Sequence, residues 1–296
     1  MKLTEISEIL DRRFNVSSVP VDLPFSSLLP RKYDAQGIEF RKYFTNGFLE
    51  KFHGLMLDNC QDVKKVYLVV FLSDEVLNKI FDSGDEDVLI FTHHPMLMET
   101  TNRGFLPLAE KYFTEMKERR ISVYVLHSPL DINEEISTSR SIAKRLSMVN
   151  EQACAPWQRG FSGVYGELPK SMAFSEFIKE VNTIFGIKES HFIQKKDRVF
   201  KVGVIAGGGT NLDDIRELIR LGCDTYLTGD YVNKVQNEFG YAEKSKFDVA
   251  ESTLDINLIE CSHYATEKVV LTDMMADFFK NLGLDVRLIE QLNPWE

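Results

Sequence analysis

Asp87-Val88-Leu89-Ile90-Phe91-Thr92-His93-His94-Pro95 is a short run of apolar and β-branched residues that ends in two histidines and a proline. A continuous apolar run of this length, bounded by polar residues, predicts a strand buried on both faces. Upstream, Val66-Tyr67-Leu68-Val69-Val70-Phe71-Leu72 has the same character. Ser73-Asp74-Glu75 follows it with helix-start chemistry, and a helix is expected over 76–81, ending near Gly84. Downstream, a helix is expected over 107–119 and a third strand over 121–126. This alternation builds a mostly parallel sheet covered by helices. The first 60 residues are less regular. Residues 3–14 have helical spacing, and 15–30 read as a loop broken by Pro20, Pro24 and Pro30.

The same order returns later in the chain. Residues 200–206 read as a strand, Gly207-Gly208-Gly209-Thr210 as a loop and 212–221 as a helix, with further strands over 224–228 and 256–260. Thr92 precedes His127 by 35 residues, and Thr228 precedes His263 by 35. Each of those histidines opens the pattern His, three residues, acid: His127 with Asp131, and His263 with Glu267. Shared order, spacing and residue types point to a duplicated α/β unit, one half over 1–150 and the other over 151–296. Between them, Gly160, Gly163 and Gly166 punctuate a turn-rich strand region, and an amphipathic helix follows over 172–185. No low-complexity linker separates the halves, so they are expected to pack closely.

Composition narrows the function classes. The 296 residues are 44% hydrophobic and 27% charged, which suits a globular protein with a core of its own. No run of eighteen apolar residues offers a membrane span. Acids stand near the start, where a signal peptide needs an apolar stretch, so a cytoplasmic protein is expected. Cys60, Cys154, Cys223 and Cys261 are scattered without a CxxC pair and read as free thiols. A net charge of −10 opposes a phosphate backbone, so a small-molecule substrate is expected and a nucleic-acid partner is not.

Three clusters carry the candidate chemistry, each just beyond the carboxyl end of an expected strand, where open α/β sheets bind ligands. His93 and His94 diverge at a strand end and can serve two neighbouring ions. The plain alternative is one histidine capping backbone and the other exposed. His127 and Asp131 would share a face in a helix, but Pro129 favours a turn, and a simple hydrogen-bonded pair is the alternative. His263 and Glu267 lead into an apolar helix, where a helix-start salt link competes with a metal site. Four of the six histidines lie in these clusters. Taken together, His93, His94, Asp131, His263 and Glu267 form a donor set for two divalent ions, with zinc, manganese, iron and cobalt all compatible. His127 fits better as a partner beside the ligands. His53 and His191 read as surface residues. Gly207-Gly208-Gly209 reads as a tight turn more readily than as a phosphate cradle. Cys261 reads as a buried thiol before it reads as a ligand.

The segments Asp87 to Pro95, His127 to Asp131, Thr228-Gly229-Asp230 and His263 to Glu267 together resemble the GTP cyclohydrolase 1 type 2 family, also called the Nif-three-like family. The resemblance runs from about Gly54 to the C-terminus. It implies a fold of two interlocked α/β halves with mixed, mostly parallel sheets, a dinuclear metal centre and a homohexameric ring. By the same resemblance His94 and Asp131 hold one ion, His93 and His263 the other, and Glu267 bridges them. His127 then serves as a proton shuttle or orienting group. Several positions depart from the family pattern. Arg31-Lys32-Tyr33-Asp34 stands where a Trp-Asp-Asn segment is expected, Phe71 in place of an Asp, Lys234 in place of a His, and Ser262 in place of a Gly. The implied function is metal-dependent hydrolysis, with a metal-bridging hydroxide as nucleophile and purine-nucleotide ring opening as the family reaction. The alternative is a non-enzymatic metal-binding scaffold or regulatory protein.

Overall fold

The computed structural model describes residues 1–232 and 234–296. They group into two compact units, each assembled from several chain segments. The first comprises Met1–Met98, Phe105–Leu130 and Leu271–Leu292, and the second Glu99–Gly104, Asp131–Val270 and Asn293–Glu296.

The first unit is built on a five-stranded sheet ordered Gly54–Leu57, Ile121–Val125, Val88–His94, Lys65–Phe71 and Asp285–Leu288. The last four strands run parallel, and Gly54–Leu57 runs antiparallel to its neighbour. Val66 to Phe71 and Val88 to Phe91 are at most 1% exposed, as their unbroken apolar runs require. The Val88–His94 strand extends through both histidines, whereas the apolar run itself predicts a strand over 87–92, because Phe71 pairs with His94 and continues the ladder.

Of the stretch 15–30 expected as a loop, 15–22 is one, and the rest opens a helix, Leu23–Asp34. Asp22 caps it by accepting from the Phe25 N–H at 3.2 Å, and Pro24 sits in the first turn, where a missing N–H is harmless. Pro30 lies inside the helix, which costs about 3 kcal/mol. Phe25, Leu29 and Tyr33 share one buried face, and burying such side chains contributes about 1.5–3 kcal/mol each. Packing therefore outweighs the proline. Tyr33 leads into an aromatic cluster with Phe40, Phe44, Phe48 and Phe113, whose neighbouring rings lie 5.0–5.9 Å apart.

The second unit has a six-stranded sheet ordered Val149–Trp157, Gly160–Ala173, Arg198–Gly208, Thr225–Asp230, Asn257–Glu260 and His191–Ile193. Its three central neighbours after the hairpin, Arg198–Gly208, Thr225–Asp230 and Asn257–Glu260, are parallel, and Gly160–Ala173 and His191–Ile193 on either side are antiparallel to them. Three consecutive parallel strands with intervening helices thus occur in both units, which is the duplication read in the spacing. The glycine-punctuated stretch is a long hairpin closing at Trp157 and Gly160. Gly207 and Gly208 are the end of a strand, where a loop was expected. His263–Val270 is a helix of this unit, and Ala276–Asn281 is a helix of the first. Among the described residues, no helix is long and apolar enough to cross a membrane.

Candidate metal centre

In the first unit, His93, His94 and His127 each offer one ring nitrogen, and the three nitrogens lie within 4.8 Å of one another. Strand and turn geometry places them. His93 and His94 end the Val88–His94 strand, and His127 stands between the Ile121–Val125 strand and the one-turn helix Ser128–Asp131. His93 Nδ1 lies 2.8 Å from the Leu126 carbonyl, which can only accept a hydrogen bond, so Nδ1 carries the proton and Nε2 is the nitrogen able to offer a lone pair. His127 Nδ1 lies 2.6 Å from Asp22 Oδ2, and the same oxygen accepts from the Ser128 hydroxyl at 2.7 Å. Asp22 is fully buried. Burial alone would raise its carboxyl, but His127, Ser128 and the Phe25 N–H hold it well below the usual carboxylate range. The His94 ring meets the Phe71 ring edge-on at 4.9 Å and the Phe25 ring at 5.5 Å. Where the family pattern calls for an acid, His94 therefore has an apolar wall.

Asp131 is the last residue of the one-turn helix and accepts from the Thr138 hydroxyl at 2.9 Å. In the second unit, His263 Nε2 lies 3.0 Å from Glu267 Oε1, one helical turn away, and both side chains are buried. His263 Nδ1 faces Asp230 Oδ2 at 3.5 Å. Trp295 Nε1 donates to that same oxygen at 2.6 Å, and its ring lies 5.0 Å from the imidazole. Burial disfavours the charged imidazolium, but Glu267 and Asp230 overcome it and push His263 up to about 10.

Gly207 has a left-handed backbone, φ +66°, and a Cβ there would sit 2.3 Å from Glu267 Oε1 and 3.1 Å from His263 Nε2. Its N–H donates to the Thr266 hydroxyl at 3.0 Å. The glycine strand end is therefore neither a phosphate cradle nor a free turn. It is the space into which a carboxylate and an imidazole converge, and these residues fit a divalent cation: buried nitrogen and oxygen donors, with carboxylate or carbonyl groups orienting the imidazoles from behind.

A family model described as Duf34/NIF3 (NGG1p interacting factor 3) matches residues 51–294.

The chain belongs to that family.

Duf34/NIF3 relatives include a GTP cyclohydrolase 1 type 2 homolog of Haemophilus influenzae, 23% identical over 245 residues, with 82% of this chain and 90% of the relative covered. A protein of the same description from Deinococcus radiodurans is 26% identical over 245 residues, covering 82% and 83%. Among solved structures, the protein ybgI, described as of unknown function, matches with TM-score 0.69 at 18% identity, covering 99% of this chain and all of that one. TTHA1606 from Thermus thermophilus matches with TM-score 0.66 at 19% identity, covering 98% of each. At these identities the structural matches establish the Duf34/NIF3 fold alone.

Three residues of the site escaped the sequence reading of this Duf34/NIF3 chain. Asp22 stands as Asp-Leu-Pro, a cap followed by a proline in the first turn, and that signal was readable. Asp230 lies in the quoted Thr228-Gly229-Asp230 segment without a role, and Trp295 carries no local signal. His53, expected at the surface, is 2% exposed and reaches the Val16 carbonyl at 3.3 Å. Burial lowers its basicity. Cys261 is buried and its thiol is pushed well above its ordinary range, as befits a core thiol.

Proposed function

We propose that this chain is a divalent-metal-dependent hydrolase whose two ions are held by His93, His94, Asp131, His263 and Glu267. The observation that carries the reading is the Gly207 cradle, where a side-chain-free backbone admits Glu267 and His263 together. Divalent ions at such a set supply Lewis acidity and bring the pKa of water toward ~7. The chain's own residues divide the remaining work. Asp22 fixes the ring of His127, leaving its Nε2 to accept or return a proton beside the substrate. Asp230 and Trp295 fix the ring of His263, and the Leu126 carbonyl fixes that of His93. The finer proposal, ring opening of a purine nucleotide, is supported by the description shared by the relatives.

Phe71 favours a second reading. An apolar ring against His94, in place of an acid, removes a group that could orient a ligand or take a proton. In that reading the ions serve a scaffold or regulatory protein without turnover.

Elemental mass spectrometry on protein purified without chelator should find about two divalent ions per chain, and Glu267→Ala should lose them. Wild-type protein that stays metal-free after reconstitution with zinc, manganese or ferrous iron would overturn the proposal. Metal-loaded protein that leaves GTP at the background rate would remove the nucleotide reaction and favour the scaffold. The kinship also leads us to expect a ring of six chains. Light scattering coupled to size exclusion should give about six chain masses, and a monomeric mass would count against it.

A further inference from the structure

The second unit contains a cavity of about 390 Å³ that the metal residues do not line. It lies at the carboxyl ends of the parallel strands Thr225–Asp230 and Asn257–Glu260, the edge at which α/β sheets take ligands. Tyr231, Lys234, Tyr241, Phe247 and Glu260 contribute to its wall. Its size suits a ligand of one or two rings.

The anion and the cation in this cavity differ in freedom. Glu260 is the last residue of a central strand, and its side chain is 2% exposed. Its position is fixed by the sheet. Lys234 makes an ion pair with it from a side chain that is 39% exposed, so the ammonium can move into water without unfolding anything. The other lysine of the wall, Lys244, is already held by Asp248 at 2.6 and 2.8 Å. Among the described lining residues, carboxylates (Asp248, Glu251, Glu260) outnumber ammonium groups (Lys234, Lys244) by three to two. The aromatic part is rigid as well. The Tyr231 and Phe247 rings stack at 5.1 Å and 28°, and the Tyr231 hydroxyl is tied to His191 Nδ1 at 2.6 Å.

We propose that this cavity binds a small planar organic cation, an aromatic amidinium or guanidinium, whose charged N–H edge replaces the Lys234 ammonium on Glu260 while its ring packs against the Tyr231–Phe247 pair. A fixed, desolvated carboxylate with a flat aromatic wall favours a delocalised planar cation over a hydrated ammonium. Lys234 then acts as an internal occupant that leaves when the ligand enters. Burial, reinforced by the neighbouring Asp230 carboxylate, pushes the Glu260 carboxyl up to about 7 against the pull of Lys234. That carboxylate gains from a well-placed cation. The cavity is distinct from the metal residues, because neither His263 nor Glu267 belongs to its wall.

The test is calorimetric titration of the full chain with benzamidine and with its neutral counterpart benzamide, in chelated and in metal-loaded protein. Benzamidine should bind once per chain, at least about tenfold more tightly than benzamide, and equally in both preparations. Lys234→Ala should tighten benzamidine by about tenfold, since the internal occupant is gone, and Glu260→Gln should abolish the preference for the cation. The Lys234→Ala arm stands on its own if the buried Glu260 variant does not fold. Equal affinity for the two probes, no saturable benzamidine binding, or weaker binding in Lys234→Ala would each overturn the proposal. Binding that vanishes on chelation would do the same, by moving the probe to the metal residues.

Discussion

Gly207→Ala should fold, unfold at a lower denaturant concentration than wild type, and lose divalent metal by about a hundredfold in affinity or more. The backbone at Gly207 is left-handed, which costs an alanine about 1–2 kcal/mol before any contact is considered. The new methyl would then sit 2.3 Å from Glu267 Oε1, more than 1 Å inside an ordinary contact of about 3.4 Å. The carboxylate would have to move by about that distance, whereas metal–ligand bonds tolerate about 0.2 Å. Gly229→Ala offers a contrast. Its methyl would meet backbone, 2.6 Å from the Gly207 carbonyl oxygen and 2.7 Å from the His263 Cα, so a shift of the Thr266 hydroxyl, also 2.7 Å away, cannot relieve it. That variant should lose about 3 kcal/mol, the upper end of an overpacking cost. Unfolding midpoints should be compared in chelator, so that lost metal does not masquerade as lost packing. Gly207→Ala with wild-type metal content would show that Glu267 has no place among the ligands.

The sequence disclosed Gly207 only as a strand-to-helix punctuation, because its purpose lies in His263 and Glu267, 56 and 60 positions further along the chain. What was legible had local causes. Val66–Phe71 and Val88–Phe91 announce buried strands by composition alone, and the repeated Thr-to-His spacing announces the duplication. The histidine clusters could be found because imidazole is rare here and all three fall just beyond the carboxyl ends of strands. Tertiary packing hid the rest. The Leu23–Asp34 helix carries two prolines and forms because Phe25, Leu29 and Tyr33 have an aromatic core to enter. Trp295 reaches Asp230 across 65 residues, and Asp22 reaches His127 across 105, so neither partnership leaves a periodic trace. Asp22 still left a local one. An acid two residues before a proline, at the head of an apolar i, i+4, i+8 pattern, is a helix cap, and the proline content of the stretch obscured it.

Asp22 should prove the most costly acid to remove in the first unit. Its two oxygens accept from the Phe25 N–H, the Ser128 hydroxyl and the His127 ring. Asp22→Ala removes a helix cap worth about 1 kcal/mol and strands two further buried donors at about 1–3 kcal/mol each. A total loss of about 3–7 kcal/mol follows, overlapping the roughly 3–5 kcal/mol typical of stripping one partner from a buried charged pair. Asp22→Asn keeps an acceptor for the cap and the hydroxyl and should lose about half as much. The charge itself has a pH signature. Because the folded carboxyl titrates below its unfolded value of about 3.9, its stabilisation is complete above about pH 4 and is lost as pH falls toward the folded value. The gap in unfolding midpoint between wild type and Asp22→Asn, measured on chelated protein, should therefore shrink as pH falls below about pH 4. Nitrogen NMR on the imidazoles adds a reading that packing alone would not change: the His127 proton should sit on Nδ1 in wild type and lose that preference in Asp22→Asn. A gap that widens in acid, or a His127 ring indifferent to the substitution, would mean that Asp22 is a helix cap only and that His127 takes its orientation from the Phe25 ring, 4.8 Å away.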